Sequence, residues 1–185
     1  HFGEWVAHQV WLDRQALGDS PLFLSLNLSL GEISNRGQMR NLLERLLGDG
    51  ELPANSLRID ITEAALRLEA RRLQPLLGAF AEAGVGISLD DVGRGWLPLE
   101  WLETLPIDAI KLDGRIVRGR QRNHGLLRAL CNIGRSLGKT VVAEGVEDPA
   151  WLPQLRASGC SAAQGYGLYH PMPFAELSRL VASCH

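Results

Sequence analysis

The stretch "RRLQPLLGAFAEAGVGISLDD", residues 71 to 91, changes structural grammar halfway along. Its first fourteen residues carry an apolar stripe at helical spacing and stop at Gly84. An apolar run then begins at Val85, reads as a strand and ends in two adjacent carboxylates, Asp90 and Asp91. Helix, glycine, strand is the punctuation of a β/α unit. The paired aspartates pose a question, because like charges side by side repel, and burying either one costs free energy without a compensating cation or donor. A turn or helix cap accounts for one Asp before a glycine. A metal site accounts for two.

The same punctuation repeats along the chain. Six apolar runs read as strands: 22–29, 57–62, 85–91, 109–114, 140–146 and 162–169. Helical patterns fill most gaps: "QMRNLLERLLG" (38–48), with Met39, Leu42, Leu43, Leu46 and Leu47 on one stripe, then 71–84, 125–138 and 148–159, each closed by a glycine. Amphipathic segments at 2–18 and 173–184 open and close the chain, and a short helical piece is expected around 99–105. Helical crossovers make neighbouring strands parallel and cover one sheet face. The fold class expected is therefore α/β, a modified TIM-type β/α barrel, incomplete, with about six of its strands. With 185 residues and no linker composition, a single domain spanning 1–185 is expected.

Bulk composition narrows the function. A net charge of −2 supplies no basic excess for a nucleic-acid groove, so DNA and RNA are not expected partners. No apolar run reaches membrane-spanning length. Cys131, Cys160 and Cys184 have neither metal nor redox spacing and read as small buried apolar side chains in a reduced, cytoplasmic setting. The histidines, at 1, 8, 124, 170 and 185, read as surface or loop residues.

The polar residues share a position. Asn27, Asp60, Glu63, Asp91, Asp113, Glu144 and Gln164 all fall near the C-terminal ends of their strands. Strand parity puts Ser25, Asn27 and Ser29 on one face, and likewise Arg58, Asp60 and Thr62, Ser88 and Asp90, and Lys111 and Asp113. With helices over the other face, this face points into a barrel, whose active sites gather at the C-terminal strand ends. The inventory of Asn27, Asp60, Asp90, Asp91 and Glu144 is all oxygen, which suits Mg²⁺, Mn²⁺ or Ca²⁺ over zinc. Lys111 lies among them, either to orient water or phosphate or as a plain salt bridge to Asp113 or the aspartate pair.

The segments "LNLS", "IDITEAAL", "SLDDVGRG", "LPIDAIKLD", "VVAEGVE" and "SGCSAAQGYGLYHPMP" resemble, in order and spacing, the EAL domain, the cyclic di-GMP phosphodiesterase family. The resemblance covers nearly the whole chain. It implies a modified β/α barrel that opens one phosphodiester of cyclic di-GMP to linear pGpG with two Mg²⁺ or Mn²⁺ ions. It implies Asn27 and Asp60 as ligands of one ion, Asp60 standing where the family has Glu. Asp90 corresponds to the bridging carboxylate and Asp91 to a ligand of the second ion. Lys111 matches the lysine that positions water, and Glu144 a catalytic carboxylate at the second ion. Glu63 matches the anchor of the loop after the aspartates; Asp113, Glu147 and Gln164 match supporting residues of the pocket. The partners implied are cyclic di-GMP, a second copy in a homodimer, and GGDEF or sensor domains in a longer parent protein.

Three departures shape the expectation. The family's Glu-Ala-Leu segment, with its further ligating Glu and a phosphate-contacting Arg, does not occur, so a domain truncated at its N-terminus is expected. Asp60 is one methylene short. Val92, Arg94, Trp96, Leu97 and Pro98 replace the usual residues of the loop after the aspartates. Expected activity is accordingly weak or absent in this chain. The alternative is a degenerate module that binds cyclic di-GMP or a protein without catalysis. Another metal-dependent barrel, such as an enolase-like lyase, ranks far below, since Lys111 alone could abstract a proton.

Overall fold

The computed structural model describes residues 2–18, 20, 22–28, 56–95, 97–119 and 124–183. The helix expected at 38–48, and Ser29, Trp96 and Cys184, lie outside the described residues. Six parallel strands form one curled sheet in chain order, a half-barrel: β1 (Leu24–Asn27), β2 (Leu57–Thr62), β3 (Gly86–Val92), β4 (Ala109–Leu112), β5 (Thr140–Ala143) and β6 (Ala162–Ala163). Around them lie α1 (Phe2–Ala16), α2 (Glu63–Glu82), α3 (Trp101–Thr104), α4 (Gly114–Arg118), α5 (His124–Ser136), a 3₁₀ turn (Pro149–Trp151), α6 (Leu152–Ser158) and α7 (Phe174–Ser183).

Period-two alternation divides each strand between two environments. In β2, Leu57, Ile59 and Ile61 are buried with Ile87 and Leu89 of β3 and Ile110 and Leu112 of β4, in one core with Leu66, Leu73, Leu77 and Phe80 of α2. The polar residues between them face the other way, as strand parity predicts. Lateral register aligns Asn27 with Asp60 and Asp60 with Ser88, so the functional positions of successive strands stand side by side.

The structure differs from the sequence expectation at several element ends. α2 begins at Glu63, eight residues before the expected start at 71, because Thr62 caps it by accepting from the Ala65 N–H at 3.1 Å. The following Ala-Ala-Leu-Arg-Leu run favours helix, and the helix breaks at Glu69 before resuming. The strand expected over 109–114 stops at Leu112, since Asp113 caps the unexpected short helix α4. The strand expected over 140–146 ends at Ala143. The largest difference is at 162–169, where only Ala162 and Ala163 pair as a strand. Gly165 and Gly167 there form a turn packed on the chain just after β5. A Cβ on Gly165 would meet the Val146 backbone at 2.3 Å, and one on Gly167 the Glu147 backbone at 2.3 Å. Alternating glycines look like a strand by pattern, but here they permit two stretches of backbone to touch.

Cys131 is buried in α5, and its Sγ lies 3.6 Å from that of Cys160, ahead of β6. They are neighbours, a contact that their spacing in sequence does not reveal. Among the described residues, no helix is long and apolar enough to cross a membrane.

Candidate metal centre

The paired aspartates depend on a fault in the sheet. Leu89 pairs with Ile110, and the next registered pair is Val92 with Leu112. Three steps along β3 thus match two along β4, so β3 carries one extra residue at Asp90–Asp91. Asp91 absorbs the bulge with φ +58°, the one positive φ outside glycine among the described residues. Asp tolerates this left-handed region better than most side chains. In a regular strand, adjacent residues point to opposite faces, and Asp91 would enter the helix-side core. The bulge instead leaves Leu89 and Val92 in the core, at 1% and 2% exposure, with both carboxylates turned from it.

Carboxylate oxygens of Asp90, Asp91 and Glu144, the residue following β5, all lie within 4.8 Å of one another. Lys111 of β4 projects into the same place. Its Nζ lies 2.9 Å from Asp60 Oδ2, 3.0 Å from Glu144 Oε1 and 3.8 Å from Asp90 Oδ2. Burial alone would lower the Lys111 pKa, but the Asp60 hydrogen bond and the charges of Asp60 and Glu144 outweigh it and hold it raised. Burial pushes the Glu144 carboxyl up; Lys111 opposes this and nearby Asp90 adds to it. Asp60 is 3% exposed with both oxygens engaged, Oδ1 accepting from Ser25 Oγ at 2.9 Å and Oδ2 from Lys111. Asn27 stands level with Asp60 on the next strand.

The remaining candidates sit around this cluster. Glu63, 3% exposed at the start of α2, accepts from the Gly93 N–H through Oε2 at 3.1 Å and so ties the loop after the aspartates to the helix. A Cβ on Gly95 would meet Glu63 Oε1 at 2.6 Å, so the glycines of this loop admit the anchor. Asp113 does not pair with Lys111. It accepts from the Arg115 N–H at 2.7 Å and forms ion pairs with Arg115 and Arg94. Burial opposes its charged form, yet the Arg115 N–H and guanidinium, with Arg94, hold its carboxyl below the usual range. Glu147 is exposed and paired with Arg118 at 3.3 Å. Gln164 is exposed; its backbone N–H donates to Ala143 O at 2.8 Å and its C=O accepts from the Val146 N–H at 3.0 Å. Arg58 does not join the cluster although it shares the Asp60 face, because it lies at the other end of β2 with its guanidinium 4.4 Å from the Phe23 ring centre.

Two participants were not legible as such. Ser25 was visible by parity, but nothing identified it as the partner of Asp60. Arg94 read only as a loop substitution; its Nη1 lies 3.0 and 2.9 Å from the two Asp91 oxygens. A cation three residues beyond a carboxylate was the available signal. The chemistry that this arrangement supports is oxygen ligation of divalent cations beside a buried ammonium group.

Comparison with known proteins finds relatives along nearly the whole chain. The EAL domain family matches over residues 1–171. An uncharacterized protein of Mycobacterium tuberculosis is 35% identical over 170 residues, covering 88% of this chain and 54% of that protein. The cyclic di-GMP phosphodiesterase NbdA of Pseudomonas aeruginosa is 33% identical over 187 residues, covering 96% of this chain and 23% of NbdA. The chain therefore spans about half the length of the first relative and about a quarter of the second. Among solved structures, the PaMucR phosphodiesterase in complex with c-di-GMP superposes with a TM-score of 0.85 at 30% identity, covering 95% of this chain and 73% of that one. The EAL domain of Mycobacterium smegmatis DcpA gives 0.86 at 27%, covering 98% and 84%.

Proposed function

The chain belongs to the EAL domain family, and on that premise we propose that its site takes cyclic di-GMP and opens one phosphodiester to linear pGpG, slowly, with Mg²⁺ or Mn²⁺. The observation that carries this reading is the bulge that brings Asp90 and Asp91 to Glu144, with Lys111 beside them. The donor set fits hard cations: it is all carboxylate and amide oxygen at the C-terminal ends of parallel strands. Asn27, Asp60 and Asp90 would hold one ion, and Asp90, Asp91 and Glu144 the other. The chemistry supplied by such a pair is activation of water and neutralisation of charge on the phosphodiester. Lys111 orients a water or phosphate oxygen and offsets the negative charge of the cluster. Glu144, whose carboxyl burial pushes up while Lys111 opposes the rise, stands beside Lys111 where it can accept a proton from the attacking water. Glu63 keeps the loop in place, and Asp113, Glu147 and Gln164 support the pocket wall.

A second reading, binding of cyclic di-GMP without catalysis, is favoured by one observation. Both oxygens of Asp60 are already engaged, by Ser25 and Lys111, so its capacity as a metal ligand is reduced. Incubation of this 185-residue chain with cyclic di-GMP and Mn²⁺ tests both readings. The expected result is Mn²⁺-dependent binding with pGpG release below about 1 s⁻¹, the low end of ordinary turnover, and no release from Asp90→Asn. Binding without release after prolonged incubation establishes the second reading. Failure to bind the dinucleotide overturns both.

A further inference from the structure

Asp91 already has a cation. Arg94 Nη1 sits between its two oxygens, at 3.0 and 2.9 Å, the place a chelated ion would take on that carboxylate. On its other side the guanidinium is tethered, with Nε 3.2 Å from Asp113 Oδ2. Asp113 is itself held by Arg115 and has a side chain only 10% exposed, so it is a fixed post. The Arg94 side chain is 54% exposed, and water can therefore solvate it if it leaves Asp91. Asp91 meanwhile belongs to the oxygen trio with Asp90 and Glu144. Arg94 and a divalent ion thus make competing demands on one carboxylate, and their charges repel at such separations.

We propose that Arg94 is a built-in counter-cation that occupies Asp91 and must be displaced before a second divalent ion binds there. This rests on the metal-site reading above. It weakens that site and makes its filling depend on divalent ion concentration. Arg94 is a positioning residue in this scheme, because it acts through the Asp91 carboxylate. The contact is exposed, so its removal should change affinity modestly, and the comparison must separate the contact from mere loss of positive charge.

Arg67 supplies that comparison. It lines the same pocket, of about 250 Å³, with Thr62, Glu63, Asp91 and Arg94. Calorimetric Mn²⁺ titration of the chain, of Arg94→Ala and of Arg67→Ala measures both effects. Arg94→Ala should tighten the weaker Mn²⁺ site by roughly two- to fivefold, with an unchanged melting temperature in metal-free buffer. Arg67→Ala should tighten it less, and Arg94→Lys should fall between Arg94→Ala and the parent. Equal effects of the Arg94→Ala and Arg67→Ala variants, or unaltered affinity in Arg94→Ala while the parent binds Mn²⁺, overturn the proposal and leave the metal-site reading intact. No Mn²⁺ binding by parent or variant overturns both. If Arg94→Ala proves unstable, Arg94→Gln replaces it in the titration: a gain in affinity larger than that of Arg67→Ala supports the proposal, and an equal or absent gain overturns it.

Discussion

Replacing Lys111 with Met removes a buried charge but retains most of the aliphatic stem that packs beneath it. The Lys111 side chain is 12% exposed and touches Asp60, Glu144 and Asp90, whose side chains are 3%, 19% and 15% exposed. The variant leaves three carboxylates facing one another without their shared cation. Two unit charges 4.8 Å apart, the outer limit for Asp90 and Glu144, repel by about 3 kcal/mol at an effective dielectric near 20. Breaking a buried pair by removing one partner costs about 3–5 kcal/mol, the same scale. For a chain of this length, 3 kcal/mol lowers the melting temperature by about 6–12 °C. The pH dependence has a definite sign. The folded pKa of Lys111 is raised, so its contribution is fully present below the unfolded value and is lost only as pH rises through the folded one. Between pH 6 and 9 the deficit of Lys111→Met should therefore be steady, and it should shrink in acid as Glu144, whose carboxyl burial pushes up, takes up a proton. Mn²⁺ should restore more stability to the variant than to the parent. Calorimetric melts in chelated and Mn²⁺-loaded buffer measure all of this. An unchanged or higher melting temperature for Lys111→Met in chelated buffer at pH 7.5 would refute the reasoning.

Two other outcomes follow from packing. Gly167→Ala should lower stability by about 2 kcal/mol or more, because its Cβ would lie 2.3 Å from the Glu147 carbonyl carbon and backbone must shift; Gly78→Ala, in α2 with nothing within 4 Å of the new methyl, should raise it by up to about 1 kcal/mol in the same denaturant titration. Mild oxidation with diamide should link Cys131 to Cys160, whose sulfurs are 3.6 Å apart, the Cys160 hydrogen bond and Arg135 favouring the Cys131 thiolate against the burial that opposes it; peptide mapping should find that bridge, and its absence while both thiols remain alkylatable after unfolding would show that the contact is apolar only.

What was legible in the sequence were features that repeat. Glycine stops and apolar runs repeat through the chain, and they marked the order and parallel sense of the strands. Oxygen-bearing residues recur at the C-terminal strand ends, and parity alone put Asp60, Asp90 and Lys111 on one face. What escaped were features made by single contacts between distant segments. The run at 162–169 has strand composition, but whether Gly165 and Gly167 pair or turn depends on the Val146 and Glu147 backbone across from them. Asp113 looked like a partner for Lys111 because both lie on one strand face. The strand ends between them, and Asp113 turns to cap α4. The bulge was invisible for a similar reason: parity counting presumes period two, and the extra residue appears only when β3 is laid against β4.

That half-period phase slip in β3 has an evolutionary consequence. Deleting one of the two aspartates would restore strict alternation, with β3 matched step for step to β4 and Val92 still facing the core beside Leu89. The core would tolerate that loss, and the positive φ at position 91 would go with it. Only the acidic cluster would be spoiled, since one of its carboxylates would be gone. Sheet geometry therefore does not guard the Asp-Asp step. In a lineage that stopped using the cluster, nothing in the sheet would hold the extra residue in place, and the strand would be free to straighten. Persistence of the bulge is thus the trace by which continued use of the cluster would be read among descendants.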